Sequence, residues 1–169
     1  FSIGDHMANG QAQAAIRSRR WELVVLQQGP STLAESRVSL IQDATAITRI
    51  IREAGAEPAL LAVWPLPGQR QEDVTASYRA AAEAVHGRLI RAGDAWQAAL
   101  VRDSSFVFTV EDGFHPSPLG SHLAALVVHC ALYGSLPATH LAQERVRTGR
   151  ASLTDAQVAI LRDAACSVR

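Results

Sequence analysis

The sequence predicts an α/β fold built on an open, mostly parallel sheet, and three observations carry that expectation. Leu23-Val24-Val25-Leu26-Gln27 and Ala59-Leu60-Leu61-Ala62-Val63-Trp64 are unbroken apolar runs followed by turn residues, the pattern of strands covered on both faces. Between them Leu40, Ile41, Ala44, Ile47, Thr48 and Ile51 recur at helical spacing. Gly55 then stands where a helix C-terminus takes a left-handed residue. Strand, helix and strand in that order make one crossover unit, and open sheets of such units bind ligands at the carboxyl ends of their strands.

The remaining elements follow from the same signals. A second helix is expected from about Asp73 to about Arg91, with Tyr78, Ala82, Val85 and Leu89 on one side, ahead of a Gly93-Asp94 break. A short helix over Ala95 to Val101 comes next. Phe106-Val107-Phe108-Thr109-Val110 is rich in β-formers and reads as a third strand, with an extended edge segment as the alternative. Ser117 is a natural N-cap and Pro118 a natural first helical residue, so a helix is expected from Pro118 to Tyr133, stopped by Gly134 and Pro137. Its apolar residues run nearly all round, which marks a largely buried helix. Thr154 or Ser152 caps a last helix carrying Val158, Ile160 and Leu161.

Composition bounds the function. At 169 residues, 48% of them hydrophobic and 19% charged, the chain suits one ordinary domain spanning 1–169. Sixteen basic and sixteen acidic residues cancel, and the arginines are scattered without interleaved aromatics, which argues against a nucleic-acid partner. No apolar run reaches the roughly 18 residues that a membrane span needs. The longest, Leu123 to Leu132, is interrupted by His129, so the chain reads as soluble. Cys130 and Cys166 have no metal-ligand spacing and impose no oxidising compartment; small buried hydrophobes is their expected role. The chain opens on Phe1 with no cleavable leader pattern, and a segment upstream of it is expected.

Three turns follow the proposed strands: Gln27 to Thr32, Trp64 to Gly68, and Asp112-Gly113-Phe114-His115. The last is the most informative. A carboxylate three residues before an imidazole, in a loop that opens a helix, can fix the histidine tautomer and steady the imidazolium that forms in base catalysis. The plainer role for the same pair is a loop former and a helix cap. His122 and His129 lie two helical turns apart, about 10 Å by helix rise, too far to share a metal ion without other ligands. Trp64 reads as core or pocket wall.

Trp21-Glu22-Leu23-Val24-Val25-Leu26-Gln27-Gln28-Gly29-Pro30-Ser31, together with Asp112-Gly113-Phe114-His115-Pro116-Ser117, resembles the SGNH, or GDSL-type, hydrolases over roughly residues 3 to 134. The resemblance implies a flavodoxin-like three-layer domain with a Ser-His-Asp triad whose Asp and His share one late loop, here Asp112 and His115. It implies an oxyanion hole in which the Gly29 N–H faces the developing charge. Gln28 replaces the family's asparagine amide, since Thr32 stands where some relatives have Asn.

The family's Gly-Asp-Ser turn, which presents the nucleophile, has no counterpart in the chain. Ile3-Gly4-Asp5-His6 is one candidate for it, with His in place of Ser, which would make a non-catalytic relative. The preferred reading sets Gly4 near the family's second block and a helix over Asn9 to Arg20, leaving the first strand and its serine upstream of Phe1. Ser31 is a weaker candidate nucleophile, because Gly29-Pro30-Ser31-Thr32-Leu33 only partly matches a G-x-S-x-G elbow; a turn serine or a helix N-cap is its plainer role.

The resemblance therefore implies an esterase acting on small acyl or acylated-sugar esters, with a small-molecule partner and no metal or organic cofactor. The alternative is an α/β ligand-binding relative that lacks the nucleophile.

Overall fold

Ser2 caps the first helix. Its hydroxyl accepts from the Asp5 N–H, and the Asp5 carboxylate accepts from the Ser2 N–H, so a reciprocal cap opens helix α1 (Ile3–Ala8). The computed structural model describes residues 1–136 and 153–168. Its contacts gather into two compact units, Phe1–Val63 with Glu72–Ile90, and Trp64–Gln71 with Arg91–Arg169. Among the described residues there are seven helices and three strands, and no helix is long and apolar enough to cross a membrane.

The first unit holds the sheet. After α1 come helix α2 (Gln11–Arg17), strand β1 (Leu23–Leu26), helix α3 (Ala34–Glu53), strand β2 (Glu57–Ala62), helix α4 (Gln71–Ala84) and strand β3 (Arg88–Arg91). The strands form an open parallel sheet in the order β1-β2-β3, with Leu23 opposite Glu57 and Leu26 opposite Leu60. Helix α3 buries Leu40, Ala44, Ile47, Thr48 and Ile51, the stripe its spacing predicts, and Gly55 turns the chain at φ 80°. The fold is thus α/β of the flavodoxin-like kind. β2 is buried as expected, but β1 is not covered on both faces: it is a sheet edge, and Val25 is 41% exposed.

In the first unit two helices differ from the sequence reading. The helix expected to reach Arg91 stops at Ala84, and Leu89 and Ile90 belong to β3. The chain turns at His86, whose φ is 46°, and at Gly87, where a Cβ would lie 2.9 Å from the Pro58 carbonyl oxygen. Only glycine lets the chain pass that close to β2. Upstream, the helix expected over Asn9 to Arg20 is the shorter α2, and Ile3 to His6 lies in α1 instead of in a strand-to-helix turn.

The second unit is helical and aromatic. Helices α5 (Ala92–Arg102), α6 (Pro118–Tyr133) and α7 (Asp155–Ser167) pack on one another. Gly93 and Asp94, expected as a break, sit in the first turn of α5, where Asp94 also pairs with Arg91 at 3.0 Å. Ser117 caps α6 by accepting from the Gly120 N–H, and Gly134 ends it at φ 78°. Pro137 lies outside the described residues. Thr154 caps α7 with Gln157 in a reciprocal box, while Ser152, the other candidate cap, also lies outside.

The cysteines are joined, contrary to the reading of two separate buried hydrophobes: Cys130 of α6 and Cys166 of α7 form a disulfide with their Cα atoms 5.4 Å apart. They are 36 residues apart in sequence, so no local spacing announces the pair. Phe106 to Val110 is extended but forms no sheet strand; its one bridge runs antiparallel, from Thr109 to Pro116. Val110 donates to the His115 carbonyl and Ser117 donates to the Phe108 carbonyl. The segment's hydrogen bonds therefore go to the Asp112 loop.

Candidate active site

That narrow hairpin is the frame of the Asp112–His115 loop. Gly113 takes φ 69° at its tip and donates to the Val110 carbonyl at 3.0 Å. The Asp112 carboxylate divides its two oxygens between two tasks. Oδ1 accepts from the backbone N–H groups of Phe114 and His115, both at 2.8 Å, and Oδ2 lies 2.6 Å from His115 Nδ1. The His115 contact first, and then the two backbone amides, hold the Asp112 carboxyl down at about 2, well below the usual carboxylate range.

The tautomer follows from that ionisation. A carboxylate only accepts hydrogen bonds, so the proton in the short contact sits on Nδ1. A neutral imidazole then carries its free lone pair on Nε2. The His115 side chain is 72% exposed, and among the described residues Nε2 has no hydrogen-bond partner. The arrangement is an oriented base facing solvent, able to take a proton from a hydroxyl brought to Nε2.

Trp64 stands beside this loop. It is 8% exposed, donates its indole N–H to the Phe114 carbonyl at 2.7 Å, and stacks on Trp96 with ring centroids 3.8 Å apart. It also lines a hollow of about 270 Å³ with Pro65, Trp96, Leu100, Phe106 and Thr109.

Gly29 and Gln28 lie in the first unit, in the turn after β1. Gly29 is exposed. Gln28 is buried and largely engaged: its Oε1 accepts from the Ile3 N–H at 3.1 Å, and its Nε2 donates to Ser31 Oγ at 2.9 Å. The Tyr78 hydroxyl, fully buried, accepts from the Gln28 N–H and donates to the Gln28 carbonyl at 2.6 Å. Burial pushes that phenol well above its ordinary pKa. Ser31 sits at φ 56°, an elbow-like conformation, yet it is 7% exposed and its hydroxyl is tied to Gln28 and to the Gly29 carbonyl. It is a turn serine, and the N-cap of α3 is Leu33. Among the described residues no cluster of three or more His, Cys, Asp or Glu side chains could hold a metal ion.

Three positions escaped the sequence reading. Tyr78 is visible there only as one member of an apolar stripe. Trp96 lies in the short helix expected over Ala95 to Val101, where nothing local marks it as the stacking partner of Trp64. Gly120 had a usable signal, since a glycine in a helix's first turn is unfavourable by roughly 1 kcal/mol unless packing demands it. Packing does demand it: a Cβ there would lie 2.7 Å from Trp96 Cζ2 and would collide with the Phe108 carbonyl oxygen.

Comparison with known proteins adds the fold's kinship. No protein-family model matches the chain, and no curated protein matches it. Among solved structures, a protein from Slackia heliotrinireducens described as a candidate SGNH hydrolase superposes with a TM-score of 0.65 at 23% identity, over 78% of this chain and 79% of that one. A DUF4886 family protein from Bacteroides uniformis superposes at 0.64 and 17% identity, over 92% of this chain and 64% of that one. The chain thus has an SGNH-hydrolase-like fold.

Proposed function

We propose that the chain is the larger part of an SGNH-type serine hydrolase that cleaves carboxylic esters of small acyl groups or acylated sugars. The observation that carries this reading is the Asp112–His115 pair, with Nδ1 held by an ionised carboxylate at 2.6 Å and Nε2 open to solvent. In the proposed reaction Nε2 takes the proton of a serine hydroxyl as its oxygen attacks the ester carbonyl. The imidazolium that results returns the proton to the leaving alcohol, and Asp112 stabilises it meanwhile. Water then hydrolyses the acyl-enzyme by the same base. The oxyanion role of Gly29 N–H and Gln28 Nε2, whose second N–H is not committed to Ser31, rests on the family resemblance. The serine itself is assigned upstream of Phe1. The free edge of β1, with Val25 exposed, supports a further strand there.

The test is labelling of the full-length protein with a serine-reactive fluorophosphonate, followed by peptide mapping. A single adduct on a serine N-terminal to Phe1, abolished in His115→Ala, is expected. No adduct on a protein that still binds an acylated sugar would establish the ligand-binding alternative instead. An adduct on Ser31 would move the nucleophile to the turn after β1.

A further inference from the structure

The loop that carries Asp112 and His115 is exposed, so something other than burial must keep it in one conformation. Its own hydrogen bonds fix the ring against the carboxylate, but they do not fix the loop against the rest of its unit. Two contacts from the Trp64–Gly68 turn do that. Trp64 Nε1–H reaches the Phe114 carbonyl at 2.7 Å, between the two chemical residues. Pro67 lies beneath the loop tip, where a Cβ on Gly113 would come within 3.2 Å of Pro67 Cγ.

The clamp is itself immobilised. Trp64 lies flat on Trp96, with an interplanar angle of 7°. Trp96 is 3% exposed, contacts Phe108 with ring centroids 5.2 Å apart, and is seated over Gly120 in the first turn of α6. Gly120 and Phe108 flank the Asp112 loop in sequence. The stack therefore connects both ends of the loop to its middle through one rigid aromatic pair. An indole N–H on a carbonyl is directional as well as attractive, and a stacked indole has little rotational freedom to lose.

The geometry points to Trp64 as a positioning residue for His115: its indole N–H, braced by Trp96, sets the placement of the Phe114 peptide and hence of the imidazole that follows. This role differs from that of pocket wall. It rests on the hydrolase reading only where turnover is the readout.

The experiment is Trp64→Phe in the full-length protein, which keeps an aromatic face for Trp96 and deletes the donor. The Asp112 side-chain carboxyl is followed by carbon NMR against pH, and kcat and KM are measured on a short-chain aryl ester. Loss of the clamp is expected to raise the Asp112 midpoint toward the ordinary carboxylate range and to lower kcat by about tenfold to a hundredfold with KM nearly unchanged. An Asp112 titration identical to wild type would overturn the assignment, whatever the rates do. Absence of turnover in the wild type would instead overturn the hydrolase reading and leave the titration to decide the clamp. Should Trp64→Phe fail to fold, solvent exchange of the Trp64 indole proton in the unaltered protein decides: slow exchange supports the bond, and exchange as fast as an exposed indole refutes it.

Discussion

Two loops in this molecule are tied down by polar side chains, and they are finished differently. In the turn after β1, Gln28, Ser31 and Tyr78 are buried and satisfy one another and the local backbone. In the loop before α6, Asp112 is equally well bonded, but the far nitrogen of His115 is left open at a 72% exposed side chain. The first network closes on itself, as buried polar groups must when no water can reach them. The second ends in an unused lone pair, and only such an end can do chemistry. The difference separates a polar network that builds structure from one that presents a reactive group.

The largest effect that would break this contrast is on rate. Asp112→Asn keeps the shape of the loop but supplies an amide where the carboxylate fixed the tautomer. For the proposed ester hydrolysis, kcat should fall by on the order of 10⁴-fold with an unchanged circular dichroism spectrum. A loss of only a few-fold would place Asp112 with Ser31 among residues that merely shape a turn.

The disulfide comes next. Closing a 36-residue span between α6 and α7, it should stabilise the fold by roughly 3–4 kcal/mol through the chain entropy of the unfolded state. Cys130→Ser with Cys166→Ser should lower the urea midpoint accordingly, and reductant should reproduce the loss in the wild type. Because both helices belong to the second unit, carbon NMR should show the Asp112 signal disturbed and the Gln28 side chain unaffected.

A smaller change sharpens the comparison from the other side. Tyr78→Phe strands the Gln28 N–H and carbonyl in a buried site and should destabilise the protein by about 1–3 kcal/mol in urea unfolding. The titration of Asp112 should not respond. The smallest effect is on acid sensitivity. The folded pKa of Asp112 is lowered to about 2 from a reference of 3.8, so its contribution is complete above about pH 4 and is lost as pH falls toward 2. Asp112→Asn should flatten the stability curve in that window, with lower stability than the wild type at neutral pH and the two curves converging as pH falls toward 2.

What was legible in the sequence was what local chemistry decides. The α3 stripe, the Ser117-Pro118 start of α6, its Gly134 stop and the Asp-x-x-His loop all depend on neighbours within a few turns, and each is where its pattern puts it. The failures share another cause. Leu89 continues the helical period of Tyr78, Ala82 and Val85, so nothing local reveals that His86 and Gly87 reverse the chain into β3. Phe106 to Val110 has strand-forming residues, but sheet membership is decided by a distant partner that this segment does not have. Cys130 finds Cys166 across 36 residues, and Trp64 finds Phe114 across 50. Contacts made across such distances leave no period in the chain.

The Asp112–His115 pair spans only three residues. Bringing its two ends together therefore loses little loop-closure entropy, and short segments of this kind close within about 100 ns. The imidazole and its carboxylate can thus meet long before the molecule has a fold. The Asp112–His115 contact is a local event, whereas the packing that holds its loop in place depends on partners far along the chain.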